Sequence, residues 1–169
     1  MRSSQDIIGL PVIQRVDGKK LGIVRDLLFD DHQQCYGLLL ESGKWVKRGQ
    51  FIPANRVSAL GQDAVMVEDS SAALPLDEAV EESMGFFSGD KKLKGRSVIQ
   101  ATGQELGMVE NVYIGEELGK LIGYELSDGL ISDLTEGRKV LHSHQPLTWG
   151  EDVLIAPSVG IELVDNRRR

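Results

Sequence analysis

Gly9-Leu10-Pro11-Val12-Ile13 and, one turn later, Leu21-Gly22-Ile23-Val24-Arg25-Asp26-Leu27 decide how this chain folds, because the chain repeats them. Gly95-Arg96-Ser97-Val98-Ile99 lines up with the first block, and Leu106-Gly107-Met108-Val109-Glu110-Asn111-Val112 with the second. Three later blocks keep the same order. Gly37-Leu38-Leu39-Leu40-Glu41-Ser42-Gly43 answers Gly123-Tyr124-Glu125-Leu126-Ser127-Asp128-Gly129. Phe51-Ile52-Pro53 roughly answers Val140-Leu141-His142, and Gly61 to Val67 answers Gly150 to Ala156. The offset drifts only from 85 to 89 residues, so the five matches mark an internal duplication.

Each copy reads as strands. Its apolar runs are short, rich in Val, Ile and Leu, and separated by Gly, Asp and Ser. Asp17-Gly18 carries the signal of a type I′ hairpin turn, and Thr102-Gly103 is compatible with a hairpin as well. Several short strands in so small a unit are expected to close into a barrel, which removes exposed edges. The expected class is mainly β: two tandem small barrels, residues 1–70 and 92–165, with a basic tail over 166–169. Between them, residues 71–91 form an acidic linker. Leu76, Ala79, Val80, Met84 and Phe87 recur there at helical spacing, which predicts a short amphipathic helix over 74–87. Asp77 and Glu78 suit its start, Gly85 and Gly89 its end, and its apolar side would pack on a barrel. A flexible linker is the alternative, although linkers seldom carry such a stripe.

Bulk composition narrows the function classes. The chain of 169 residues is 41% hydrophobic and 27% charged, ordinary values for a globular protein, and its 19 glycines suit a turn-rich fold. No apolar run approaches the ~20 residues of a membrane helix. The N-terminal segment has no extended apolar core of a secretory signal, and the single Cys35 fits a reducing compartment. A cytoplasmic protein without membrane insertion is expected. The net charge of −7 falls mainly on the linker and the second copy, while residues 1–70 are neutral. An acidic chain lacks the basic face on which phosphate binding normally rests, which argues against direct nucleic-acid contact.

The blocks from Gly9 to Val12 and from Gly22 to Asp30, with Tyr36-Gly37-Leu38 and Phe51-Ile52-Pro53, resemble the PRC-barrel family. That family takes its name from the cytoplasmic domain of the photosynthetic reaction centre H subunit. It also includes the C-terminal domain of a ribosome-maturation protein that binds the small subunit. The second copy resembles a more diverged member, with Asn111 in place of the aspartate and His142 where Pro53 would stand. The resemblance implies a small barrel that docks on proteins or ribonucleoprotein, with no catalytic signature. Tandem versions resemble uncharacterised bacterial proteins, some from spore-forming Gram-positive species, which suggests a link to sporulation. The family implies its fold more firmly than any function.

Candidate residues sort into a few groups. Gly9, Gly22, Gly37, Gly95, Gly107 and Gly123 read as backbone devices for bends and close strand approach, since no phosphate-cradling motif surrounds them. Asp26 and Asn111 are expected to bond backbone N–H groups at a turn or bulge, and Pro53 belongs to the same structural signature. A catalytic role would require ionisation, which Asn111 at the matching place cannot provide, so the substitution weighs toward structure; a site in one copy alone is the alternative. His142 and His144 share one strand face and could supply two metal ligands, but a third ligand would have to come through folding from Asp133, Glu136 or His32. Two surface histidines without metal is the simpler reading. Cys35 reads as a half-buried thiol. Adjacent carboxylates such as Asp30-Asp31 face opposite sides of a strand and make no acid–base pair. Trp45, Lys47 and Arg48 join an aromatic ring to two cations in a Gly-bounded loop, the composition of an interface anchor, and the second copy lacks them.

The function expected from these residues is a non-enzymatic adaptor, without cofactor, that docks a protein or ribonucleoprotein partner. A ribosome-assembly accessory factor is one alternative, and a metal protein or enzyme using His142 and His144 is another. Small barrels of this kind also pair, so a homodimer is open to the chain.

Overall fold

The computed structural model describes residues 1–41, 49–81, 84–128 and 138–165. The first copy runs β1 (Arg2–Ser3), α1 (Ser4–Ile7), β2 (Pro11–Gln14), β3 (Lys20–Phe29), β4 (Cys35–Glu41), β5 (Gln50–Pro53), β6 (Val57–Leu60) and β7 (Val65–Val67). The linking stretch adds β8 (Leu74–Pro75), α2 (Glu78–Glu81) and β9 (Met84–Gly85). The second copy runs β10 (Ser97–Gln100), β11 (Glu105–Ile114), β12 (Leu121–Ser127), β13 (Lys139–Ser143), β14 (Thr148–Trp149), β15 (Leu154–Ala156) and β16 (Ile161–Asp165).

The fold is mainly β and is built twice. One sheet has the order β6-β7-β2-β3-β4-β5-β8, and the other has β14-β15-β10-β11-β12-β13-β16. Each contains one parallel pair, β2 with β7 and β10 with β15. Each long strand carries a bulge at the same place, between Val24 and Asp26 and between Val109 and Asn111. A bulge inserts one residue and resets the in–out alternation. Arg25 faces solvent there, and Asp26 turns inward to complete burial.

The barrels are joined by an exchange of arms. β1 precedes the first barrel but pairs with β11 of the second, Arg2 opposite Ile114. β9 precedes the second barrel but pairs with β3 of the first, Met84 opposite Phe29. Ile7 and Leu93, the apolar anchors at the ends of the two arms, are fully buried. The turns after β3 and β11 also meet: Cys35 N donates to Gly119 O (3.2 Å) and Leu121 N to Gln33 O (3.2 Å). One continuous apolar core therefore runs through both barrels, from Ile7 to Ala156. No helix among the described residues is long and apolar enough to cross a membrane.

Two sequence expectations need correction. The helix expected over 74–87 is a single turn, Glu78–Glu81, and the segments Leu74–Pro75 and Met84–Gly85 on either side of it are strands. Open edges of β5 and β3 claim those segments, and ladder hydrogen bonds outweigh the intrinsic helix preference of so short a stretch. Its apolar side does pack on the barrel, with Leu76 and Val80 against Leu28 and Phe51. The Asp17-Gly18 turn is not type I′, because only Gly18 has positive φ (72°). The loop is wider, with Gln14 N bonded to Lys19 O, since Arg15 and Val16 extend the pairing along Val67 and Glu68.

The glycines differ in how much they permit. Gly9 and Gly95 share a positive φ, 99° and 84°. A Cβ on Gly37 would lie 2.1 Å from the Phe51 ring and 2.7 Å from the Ile52 carbonyl oxygen, whereas one on Gly123 would come no closer than 3.3 Å to the His142 ring and 3.5 Å to the Leu141 carbonyl oxygen. Gly37→Ala should therefore cost about 2–3 kcal/mol and Gly123→Ala under about 1 kcal/mol in urea unfolding. Equal costs would refute this account of the β4–β5 approach.

Candidate functional site

The buried polar groups gather where each arm crosses the opposite barrel. Asp26 is fully buried. Its carboxylate accepts from its neighbour Leu27 N (2.8 Å), and from Phe87 N (2.8 Å), Ser88 N (2.9 Å) and the Ser88 hydroxyl on the arm. Gly85 makes this possible, because a Cβ there would sit 2.3 Å from Asp26 Oδ2. At the matching place in the second barrel, Asn111 Oδ1 accepts from Ser4 Oγ (2.9 Å). Ser4 Oγ in turn accepts from Val112 N (3.1 Å). Asn111 Nδ2 donates to Gln5 Oε1 and to Glu125 Oε1, both at 3.1 Å. Asp26 and Asn111 thus bond backbone and side chains of a remote segment, where the sequence pointed only to neighbouring N–H groups.

Glu125 extends the second node. Its carboxylate, on β12 and buried, accepts from Tyr113 OH (3.3 Å) and pairs with Arg138 (3.2 Å). The signal for it was present but easy to miss: Glu125 is an acid inside an apolar run, and the matching residue in the first copy is Leu39.

The remaining candidates lie apart. Gly22 and Gly37 are points of close strand approach, and Gly107 combines such an approach with φ of 138°. Pro53 and His142 occupy matched positions, opposite Gly37 and beside Gly123. His142 Nδ1 lies 3.3 Å from Ile122 O, while the His144 ring rests on Gly160. Among the described residues no three His, Cys, Asp or Glu side chains converge on a possible metal position. Trp45, Lys47 and Arg48, together with Asp133, Glu136 and the basic tail, fall outside the described residues.

Cys35 is buried rather than half-exposed. Burial pushes its thiol up from 9.0 to about 12, and the nearby charges of Asp26 and Asp30 add to the rise, against hydrogen bonds to Gly37 and Leu28 that lower it. Such a thiol is not a nucleophile near neutral pH.

Two open grooves flank the seam between the barrels. One, of about 750 Å³, is bordered by Arg2, Leu60, Glu116 and Glu117. The other, of about 870 Å³, is bordered by Asp30, Asp31, Asp77, Tyr36, Met84 and Trp149. Trp149 meets Phe29 edge to face at 5.9 Å and donates its indole N–H to Tyr124 OH (2.9 Å), so the seam side of this groove is braced by aromatic contacts.

A duplicated small barrel with exchanged arms defines the class of protein. The chain belongs to the PRC-barrel domain family, whose model matches residues 1–74 and again 87–160. It is similar to the uncharacterized protein YrrD of Bacillus subtilis (strain 168), with 28% identity over 141 residues that cover 82% of this chain and 77% of that protein.

Two outcomes follow from the nodes and the thiol. Asp26→Asn would turn an amide NH2 toward donors that need an acceptor, and Ser4→Ala would take the Ser4 hydroxyl away from Val112 N and Asn111 Oδ1. Losses of about 3 and about 1–3 kcal/mol in chemical denaturation are expected. Cys35 should resist a thiol reagent at pH 8 in the native protein and react fully once unfolded. Rapid native labelling would contradict its burial.

Proposed function

We propose that this protein is a non-catalytic docking module that acts in the cytoplasm by presenting a rigid two-barrel surface to a protein partner. One observation carries the reading: the buried groups able to do chemistry are occupied in holding the barrels together. Asp26, Asn111 and Glu125 each bond other residues of the same chain, and the Cys35 thiol is held protonated. What is left to act is the surface. Family membership supports the reading at the level of fold.

Exchange of arms favours a scaffold role in a second way. Barrels that share one core cannot rotate independently, so groups on the two halves keep a fixed spacing, which reduces the ordering cost of binding. Direct contact with RNA draws no support from the seam, where the larger groove is lined by three aspartates. On the sequence argument, Trp45, Lys47 and Arg48 remain candidate anchors on the first barrel.

Cross-linking mass spectrometry in native cells, with intact protein and the Trp45→Ala/Arg48→Ala double variant, tests the proposal. Reproducible links from barrel surfaces to a defined protein partner are expected, weakened in the variant. An identical partner list would remove that loop from the reading. Absence of any partner alongside turnover of a small molecule would overturn the docking function itself.

A further inference from the structure

The duplication supplies an internal comparison, because the two seam grooves occupy matched places. Arg2 borders the first and Met84 the second, and both begin an exchanged arm strand. Leu60 and Trp149 are likewise equivalent, each closing a strand opposite the core valine or leucine of the next, Val65 or Leu154. Glu116 and Asp31 lie at matched points in the turns after β11 and β3. The two grooves therefore have one architecture and different chemistry.

In the first groove the chain supplies its own cation. Arg2 Nη1 donates to Leu60 O (3.2 Å) and Nη2 to Gly61 O (2.8 Å), beside Glu116 and Glu117. In the second groove the arm offers Met84 instead. Asp30, Asp31 and Asp77 line it, and no lysine or arginine is among its described lining residues. Two of these carboxylates are oriented by local bonds, Asp30 Oδ1 from His32 N and Gln34 N, and Asp77 Oδ1 from Val80 N. Asp31 is exposed. The carbonyl that matches Gly61 is Gly150 O, which already accepts from Arg96. An incoming cation would thus be held by carboxylates and by the rings of Tyr36 and Trp149, both half-buried at the groove.

Carboxylates beside aromatic rings, in a concavity with no cation among its described lining residues, suit a guanidinium or ammonium group. A volume of about 870 Å³ exceeds one side chain and accommodates a short peptide. We propose that the groove bordered by Asp30, Asp31, Asp77, Tyr36 and Trp149 binds an arginine- or lysine-bearing segment of a protein partner. This rests on the docking reading above and adds the partner's chemistry. Charge complementarity favours this occupant, and the Arg2 groove is the chain's own example of a cation in that setting.

The test uses the full chain and a fluorescein-labelled peptide of arginine, lysine and glycine, with a control in which citrulline and acetyl-lysine replace the cations. Anisotropy should report saturable binding that weakens with salt, and the control should bind at least about tenfold more weakly. Asp31→Asn/Asp77→Asn and Asp31→Lys should each lose about tenfold, while Glu116→Gln/Glu117→Gln in the opposite groove should not. The Trp149 indole N–H signal in NMR should shift on titration. Several results would overturn the proposal: no saturation, equal loss in the opposite-groove variant, preference for RNA, or self-association that fills the groove. If native cross-links map a partner to other barrel surfaces while the peptides fail, docking stands and this groove falls.

Discussion

The structure depends on one constraint: each barrel is completed by a strand that belongs, in chain order, to the other. At the first crossing the anchor is the Asp26 carboxylate, which receives two backbone N–H groups and a hydroxyl from residues 87–88. A buried carboxylate is costly unless its lone pairs are filled, and here the arm fills them. The bulge is what turns that side chain inward, and Gly85 is what lets the arm approach it. Removing the arm would strand a buried charge and open the edge of β3 at once, so barrel and arm are stable only together.

The second crossing solves the same problem differently. Asn111 has both a donor and an acceptor, so it cannot satisfy a row of N–H groups as a carboxylate does. Ser4 stands between, accepting from Val112 N and donating to the amide oxygen, while the amide NH2 turns to Gln5 and Glu125. Glu125 then requires Tyr113 and Arg138. One substitution at the node thus accompanies a whole polar cluster in the second copy, where the first copy packs Leu28, Leu39 and Phe51 beneath Val80. Identical topology carries an apolar patch on one side and an ionic one on the other. The seam repeats the lesson, with Arg2 and Leu60 facing one groove and Met84 and Trp149 the other. Duplication keeps the frame, and divergence at matched positions sets the surface chemistry that a partner meets.

Much of the frame was legible in the sequence. Duplicated blocks, short Val- and Ile-rich runs and paired glycines are local patterns, and they marked short strands in the same chain order in both copies. The matched places of Pro53 and His142 were legible for the same reason, Pro53 lying opposite Gly37 and the His142 ring beside Gly123. The linker was less so. Its apolar spacing described a helix, but four residues of helix and two strands formed, because helical periodicity says nothing about a sheet edge waiting elsewhere in the chain.

By itself the sequence determined that the chain is two copies of one small β unit, with glycines where strands must bend or approach. Only tertiary structure decided that the copies trade arms, that Asp26 and Asn111 bond those arms, and that an acidic aromatic groove opens at the seam. Those features join residues some sixty to one hundred positions apart. Periodicity reports which face of a strand is buried, while the partner of a buried carboxylate is set by which distant segment can reach it and fill its lone pairs.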